Sequence, residues 1–385
     1  MKKKNIQFIA LSILWLLFLT CTEDVPLKIK EDELSPGTWQ SLEFHDKVPV
    51  NLTLAEPYLY VAAAKDGVWR RNIAQMNADW EYLGLASYDS TLGPLYGVAK
   101  VDIWGNDILA GLDAPIEIEK GIKVGIWRSR DGGKTWAPSD SGIRTDNYRS
   151  SKVYDLKRSP HDPQIILAGN NTIFRSNNNG ESWTLVYPDR RDVSIRYYGF
   201  TWHPSNPNLV WAYGQSGRGD PFLQYSDNFG IMWQDLRTVR FLQYKALSLF
   251  DLEFDAINNN VIYVVTDGGI FKSLNGGQDW IDNVEPSPPI LVDSSITVFW
   301  KILCHPTQSD IFFTISRNQL YLSSDAGTSF YLLTSPNKEN IFTLEFDRLR
   351  DMLYIGAADG IFRLKNPLNA PRIKLSSISE IQNLN

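Results

Sequence analysis

One short motif returns five times along this chain, and no other feature limits the fold as tightly. Its fullest copy is GIWRSRDGGKTW, Gly125 to Trp136, with Ser129, Asp131, Gly133 and Thr135 at alternate positions before Trp136. Weaker copies carry Ser176, Asn178, Gly180 and Trp183; Ser226, Asn228, Gly230 and Trp233; Ser273, Asn275, Gly277 and Trp280; and Ser323, Asp325, Gly327 and Phe330. The closing aromatics are separated by 47, 50, 47 and 50 residues. A near-constant period of that size suits one four-stranded blade of a β-propeller.

Each copy reads as a hairpin turn. An apolar strand enters, and an aromatic opens the returning strand. The Asp or Asn oxygen accepts backbone N–H groups within the turn, the glycine permits positive φ, and the aromatic packs between sheets. Three of the five copies carry Asn. An amide caps a turn as well as a carboxylate does, but it cannot serve as a base or nucleophile, so the motif is expected to be structural.

These residues resemble the bacterial-neuraminidase, or Asp-box, repeat S-x-D-x-G-x-T-W. The copy at 129–136 matches every fixed position, and the copy at 226–233 places Met232 where Thr is expected. Proteins with such boxes include sialidases, xyloglucanase-type glycosidases, sortilin-type receptors and photosystem II assembly factors. The resemblance implies an all-β propeller with its boxes on one face and its ligands on the other. It does not choose a function.

Two fragments set the blade count. GTWQSL, 37–42, looks like the back half of a unit, and MLYIGAADGIFRL, 352–364, like a front half. The N-terminal strand is therefore expected to complete the last blade and close the ring, which removes two free sheet edges. A degenerate unit with Trp80 lies between Trp39 and Trp136. The aromatics at 39, 80, 136, 183, 233, 280 and 330 then mark seven blades.

The chain begins MKKKNIQFIALSILWLLFLTC. Three lysines and an apolar run from Phe8 to Leu19, too short for a comfortable span, read as a signal peptide over 1–20. Phe18-Leu19-Thr20-Cys21 resembles a loose bacterial lipobox, which implies lipidation of Cys21 and a place on the cell envelope, at the outer membrane, periplasmic or surface-exposed. The expected organisation is a signal peptide over 1–20, a tether over 21–36, a seven-bladed propeller over 37–370 and a C-terminal tail over 371–385.

Net charge is −6, and removing residues 1–20 takes away Lys2, Lys3 and Lys4 to leave −9. A nucleic-acid binder would more often be basic, so no nucleic-acid partner is expected. Cys304, the second of two cysteines, reads as a small buried hydrophobe. His161, His203 and His305 recur at equivalent turns of separate units, where they cannot converge on one metal. No metal or cofactor is expected, and the chain is expected to be a monomer.

Function is sought in the longer loops of the box-free face. These hold Arg190, Arg191, Arg196, Arg218, Arg237 and Arg240, with Tyr197 and Asp220 among them. Arginine forks and tyrosines suit a protein or carbohydrate partner. A sialidase-like enzyme would show an Arg-Ile-Pro motif before the first box, yet Arg70-Arg71 is followed by Asn72. No catalytic pair stands out. A membrane-anchored, non-catalytic binding or assembly scaffold is the expected function, and a glycoside hydrolase acting on an extracellular glycan is the alternative.

Overall fold

The computed structural model describes residues 34–86, 97–112, 125–143, 153–169, 171–187, 195–236, 246–280, 299–316 and 318–375. Seven antiparallel sheets follow one another in chain order, and they form a seven-bladed β-propeller. The inner strands are Asn51–Ala55, Val98–Trp104, Asp155–Arg158, Arg196–Trp202, Leu249–Phe254, Phe299–Cys304 and Ile341–Asp347. Each lies against the inner strand of the next blade, and the seventh lies against the first. Helical structure among the described residues is limited to two short 3-10 turns, Ala64–Asp66 and Pro367–Asn369.

Closure occurs where the divided sequence unit places it. Trp39–Ser41 pairs antiparallel with Gly360–Lys365, with Trp39 opposite Leu364 and Ser41 opposite Phe362. Arg372–Lys374, within the segment expected as a tail, adds a fifth strand to blade 6 beside Tyr331–Leu333.

The core is divided rather than central. Seven apolar clusters fill the seven interfaces between adjacent blades. The closing aromatics Trp183, Trp233, Trp280 and Phe330 are buried in these layers, and a large apolar side chain buried in this way contributes about 1.5–3 kcal/mol. Trp80, Trp136 and Trp183 also donate their indole N–H across the interface, to the carbonyls of Leu42, Leu83 and Ser139 at 2.8, 2.6 and 2.7 Å. Cys304 is buried in the interface between blades 5 and 6.

The five repeated turns share one hydrogen-bond pattern. Ser129 Oγ accepts the Gly133 N–H at 2.8 Å and donates to Asp131 at 2.7 Å, and Asp131 accepts the Thr135 N–H at 2.9 Å. Asn178 takes the place of Asp131 with little change, accepting Ser176 Oγ at 2.9 Å and the Ser182 N–H at 3.0 Å. Asn228, Asn275 and Asp325 accept in the same way. At Gly133, φ is +94° and an added Cβ would stand 2.7 Å from Leu83 Cβ, so only glycine fits.

The strand order fixes two faces. The repeated turns join the third strand to the outer strand, and they share a face with the turns joining the inner strand to the second. The opposite face carries the entry to each inner strand and the turns between the second and third strands. His203 and His305 accept backbone N–H groups in turns of the first face, from Ser205 and Asn206 and from Thr307. No His/Cys/Asp/Glu group among the described residues has the arrangement to hold a metal.

Candidate functional site at the channel mouth

The inner strands surround a channel, and its mouth opens on the face without the repeated turns. Five of them are bulged at entry, where the register skips Ala99, Tyr198, Phe250, Trp300 and Phe342. A bulge leaves its extra residue outside the ladder and re-aims it. Ala99, Tyr198, Phe250 and Phe342 therefore line the mouth, with Val50 and Tyr154 from the two unbulged blades. Trp300 turns instead into the interface between blades 6 and 7, where its indole N–H meets the Ile341 carbonyl at 3.2 Å.

The next residue of each inner strand forms a second ring: Asn51, Lys100, Asp155, Gly199, Asp251, Lys301 and Thr343. Four of these clip one blade to the next. Asn51 accepts the Val101 N–H at 3.3 Å, Asp155 the Phe200 N–H at 2.9 Å, Asp251 the Ile302 N–H at 3.1 Å and Thr343 the Leu52 N–H at 3.3 Å. Lys100 pairs with Asp155 at 3.3 Å and Lys301 with Asp251 at 2.8 Å. Gly199 leaves room for the Tyr213 hydroxyl, which an added Cβ would meet at 2.2 Å. That hydroxyl donates to Asp251 at 2.9 Å.

Below lies a third ring with Lys157, Glu253 and Glu345. Burial raises the Glu253 carboxyl to about 7, with Asp251 adding to the effect and Lys301 and Lys157 opposing it. Glu345 is also raised, chiefly by burial, against the Phe346 N–H and the channel lysines. Burial works against the charge on Lys301, but Asp251 and Glu253 more than offset it and hold the amine protonated. The mouth encloses about 140 Å³.

The sequence-derived candidates divide around this mouth. Arg196 is exposed at the entry of the blade 4 inner strand and engages the Tyr198 hydroxyl. Arg218 is exposed and Asp220 half-buried in the next turn of the same face, which closes through the Asp220 N–H on Ser216 Oγ at 3.1 Å. Arg190, Arg191, Arg237 and Arg240 lie outside the described residues, as do Cys21 and the expected signal peptide. Tyr197 is not a surface residue. It is fully buried and donates to Gln224 at 3.1 Å, because the bulge turns it inward and sends Tyr198 to the channel.

Comparison with known proteins places this geometry on a familiar scaffold. No protein-family model matches the chain, and no curated protein matches it by sequence. Among solved structures, the GH74 xyloglucanase from Xanthomonas campestris is similar at 15% identity, over 86% of this chain and 54% of that one, with a TM-score of 0.63. The GH74 enzyme from Niastella koreensis is similar at 13% identity over 86% and 54%, with a TM-score of 0.62. YCF48 bound to D1 peptide is similar at 16% identity over 88% and 99%, with a TM-score of 0.59. The chain spans about half the length of the two GH74 enzymes. Likeness at these identities is likeness of fold.

The residues that sequence reasoning missed are those of the inner strands: Tyr154, Phe250, Lys157, Glu253 and Glu345. For Lys157, Glu253 and Glu345 the signal is present as polar residues at alternate positions of otherwise apolar strands.

Proposed function

We propose that this chain is a non-catalytic binding scaffold that docks a protein or glycan partner at the channel mouth. One observation carries the reading. The mouth sets aromatic rings above charged groups, and among the described residues Lys157, Glu253 and Glu345 have no ion-pair partner within 4 Å. Aromatic anchors beside polar groups on a rigid frame are what a recognition site needs. Arg196 and Arg218, with Asp220, extend the docking surface outward, and the sequence adds Arg190, Arg191, Arg237 and Arg240 as further candidates. A neighbour in fold, YCF48, has been solved bound to a D1 peptide, which supports a protein partner.

The test is capture of a partner from detergent-solubilised membranes. A Tyr198→Ala/Phe250→Ala double variant is expected to lose it, and an Arg190→Ala/Arg191→Ala/Arg196→Ala triple variant to weaken it. Capture unchanged in both would remove this face from the proposal. Lipidation of Cys21 would hold the protein at the envelope membrane after loss of residues 1–20, since each buried CH₂ contributes about 0.8 kcal/mol. Cys21→Ser is expected to move the protein from the membrane to the soluble fraction.

A glycoside hydrolase is the second reading. Its support is the Glu253 carboxyl, held near 7 in a channel that also contains Asp251 and Glu345, since perturbed carboxyls cluster at catalytic sites. Saturable turnover of a fluorogenic glycoside that Glu253→Gln abolishes would replace the scaffold reading.

A further inference from the structure

We infer that the channel mouth receives one basic side chain, a lysine or arginine projecting from an extended segment of the partner. The inference rests on the binding reading above and specifies its ligand. It begins with the charges that the fold has already used. Asp155 is taken by the Phe200 N–H and Lys100, and Asp251 by Tyr213, the Ile302 N–H and Lys301. Two carboxylates, Glu253 and Glu345, then remain against one amine, Lys157. Above pH 7, where Glu253 is ionised, the excess is negative, and it lies in the wall of the channel.

The rim suits the same ligand. Tyr154 and Tyr198 meet edge to face with centroids 5.9 Å apart, and Tyr198 and Phe250 stack at 5.8 Å with planes 18° apart. These rings from blades 3, 4 and 5 form a continuous aromatic wall. Aromatic faces attract cations, arginine above all, and repel anions. Phe342 is exposed on blade 7. Arg196, which engages the Tyr198 hydroxyl at the edge of the wall, and the exposed Arg218 disfavour a polybasic chain. The selected ligand is thus a single basic residue with acidic or neutral neighbours.

Fluorescein-labelled peptides of sequence acetyl-Glu-Gly-Xaa-Gly-Glu-amide test this against the full-length chain in detergent micelles, with Xaa as lysine, arginine, norleucine or glutamate. Anisotropy titrations are expected to show the lysine and arginine peptides binding about tenfold more tightly than norleucine, a step of about 1.4 kcal/mol. The Glu253→Gln/Glu345→Gln variant is expected to lose that preference, and Phe250→Ala to weaken every peptide. Equal binding of lysine and norleucine, no binding of either basic peptide, or a preference surviving in the double glutamine variant would each overturn the inference. If partner capture still depends on Tyr198 and Phe250 in that event, the scaffold reading stands without it. Displacement of captured partner by xyloglucan oligosaccharide, with no lysine preference, would assign the mouth to a glycan.

Discussion

The two faces of the ring use polar residues in opposite ways. On one, five turns close their serines and Asp or Asn side chains upon their own backbone. Asp131 shows the result: hydrogen bonds from the Thr135 hydroxyl and N–H and from Ser129 hold its carboxyl far below the usual range. On the other, equivalent positions of the seven inner strands carry five different residue types, and the ring below them adds charged groups that no ion pair among the described residues closes. Repetition marks the positions that hold the blades, and departure from it marks the positions that can meet a partner.

Asp251 lies on the boundary between these uses, and its removal should have the largest effect. Asp251→Ala strands Lys301, the Ile302 N–H and the Tyr213 hydroxyl together. A loss of about 3–5 kcal/mol is expected in urea denaturation. Thr343→Ala, at the same ring position but uncharged, should cost about 1 kcal/mol. Equal losses would show that position alone sets the cost.

On the other face, Ser129→Ala leaves the buried Gly133 N–H without its acceptor, and about 1–3 kcal/mol is expected by the same measurement. A smaller and pH-dependent effect belongs to Glu253. The folded state holds its proton more tightly than the unfolded chain does. Its contribution is therefore full below pH 4.5 and is lost as pH rises through about 7. Asp251, Lys301, Lys157 and Glu345 face it there. Melting temperatures from pH 4.5 to 7.5 should fall more steeply in the natural chain than in Glu253→Gln, and parallel curves would refute this. The smallest effect is expected for Asp131→Asn, whose urea midpoint should match that of the natural chain, because Asn178, Asn228 and Asn275 already form the same turn. A larger loss would give the carboxylate a role that turn closure does not explain.

The contrast also explains what could be read in advance. Blade number and the joining of Trp39 to the strand ending at Lys365 follow from the spacing of aromatics and from two half-units, since a propeller buries its apolar area between repeats. The mouth was harder to read because one extra residue at a bulge reverses which side chains face inward. Tyr197 and Tyr198 are neighbours in a loop-like stretch, and only the skipped register decides that the first enters the core and the second the channel. Lys157, Glu253 and Glu345 look like ordinary polar positions of half-buried strands until seven strands bring them to one axis.

The pairing of Trp39–Ser41 with Gly360–Lys365 has a consequence in time. A chain made from its amino end presents the sealing strand before the other six blades and its docking edge after them. Blades can stack as they emerge, but the circle stays open until more than three hundred further residues have been synthesised. Any partner that needs the complete circumference can recognise only a finished molecule.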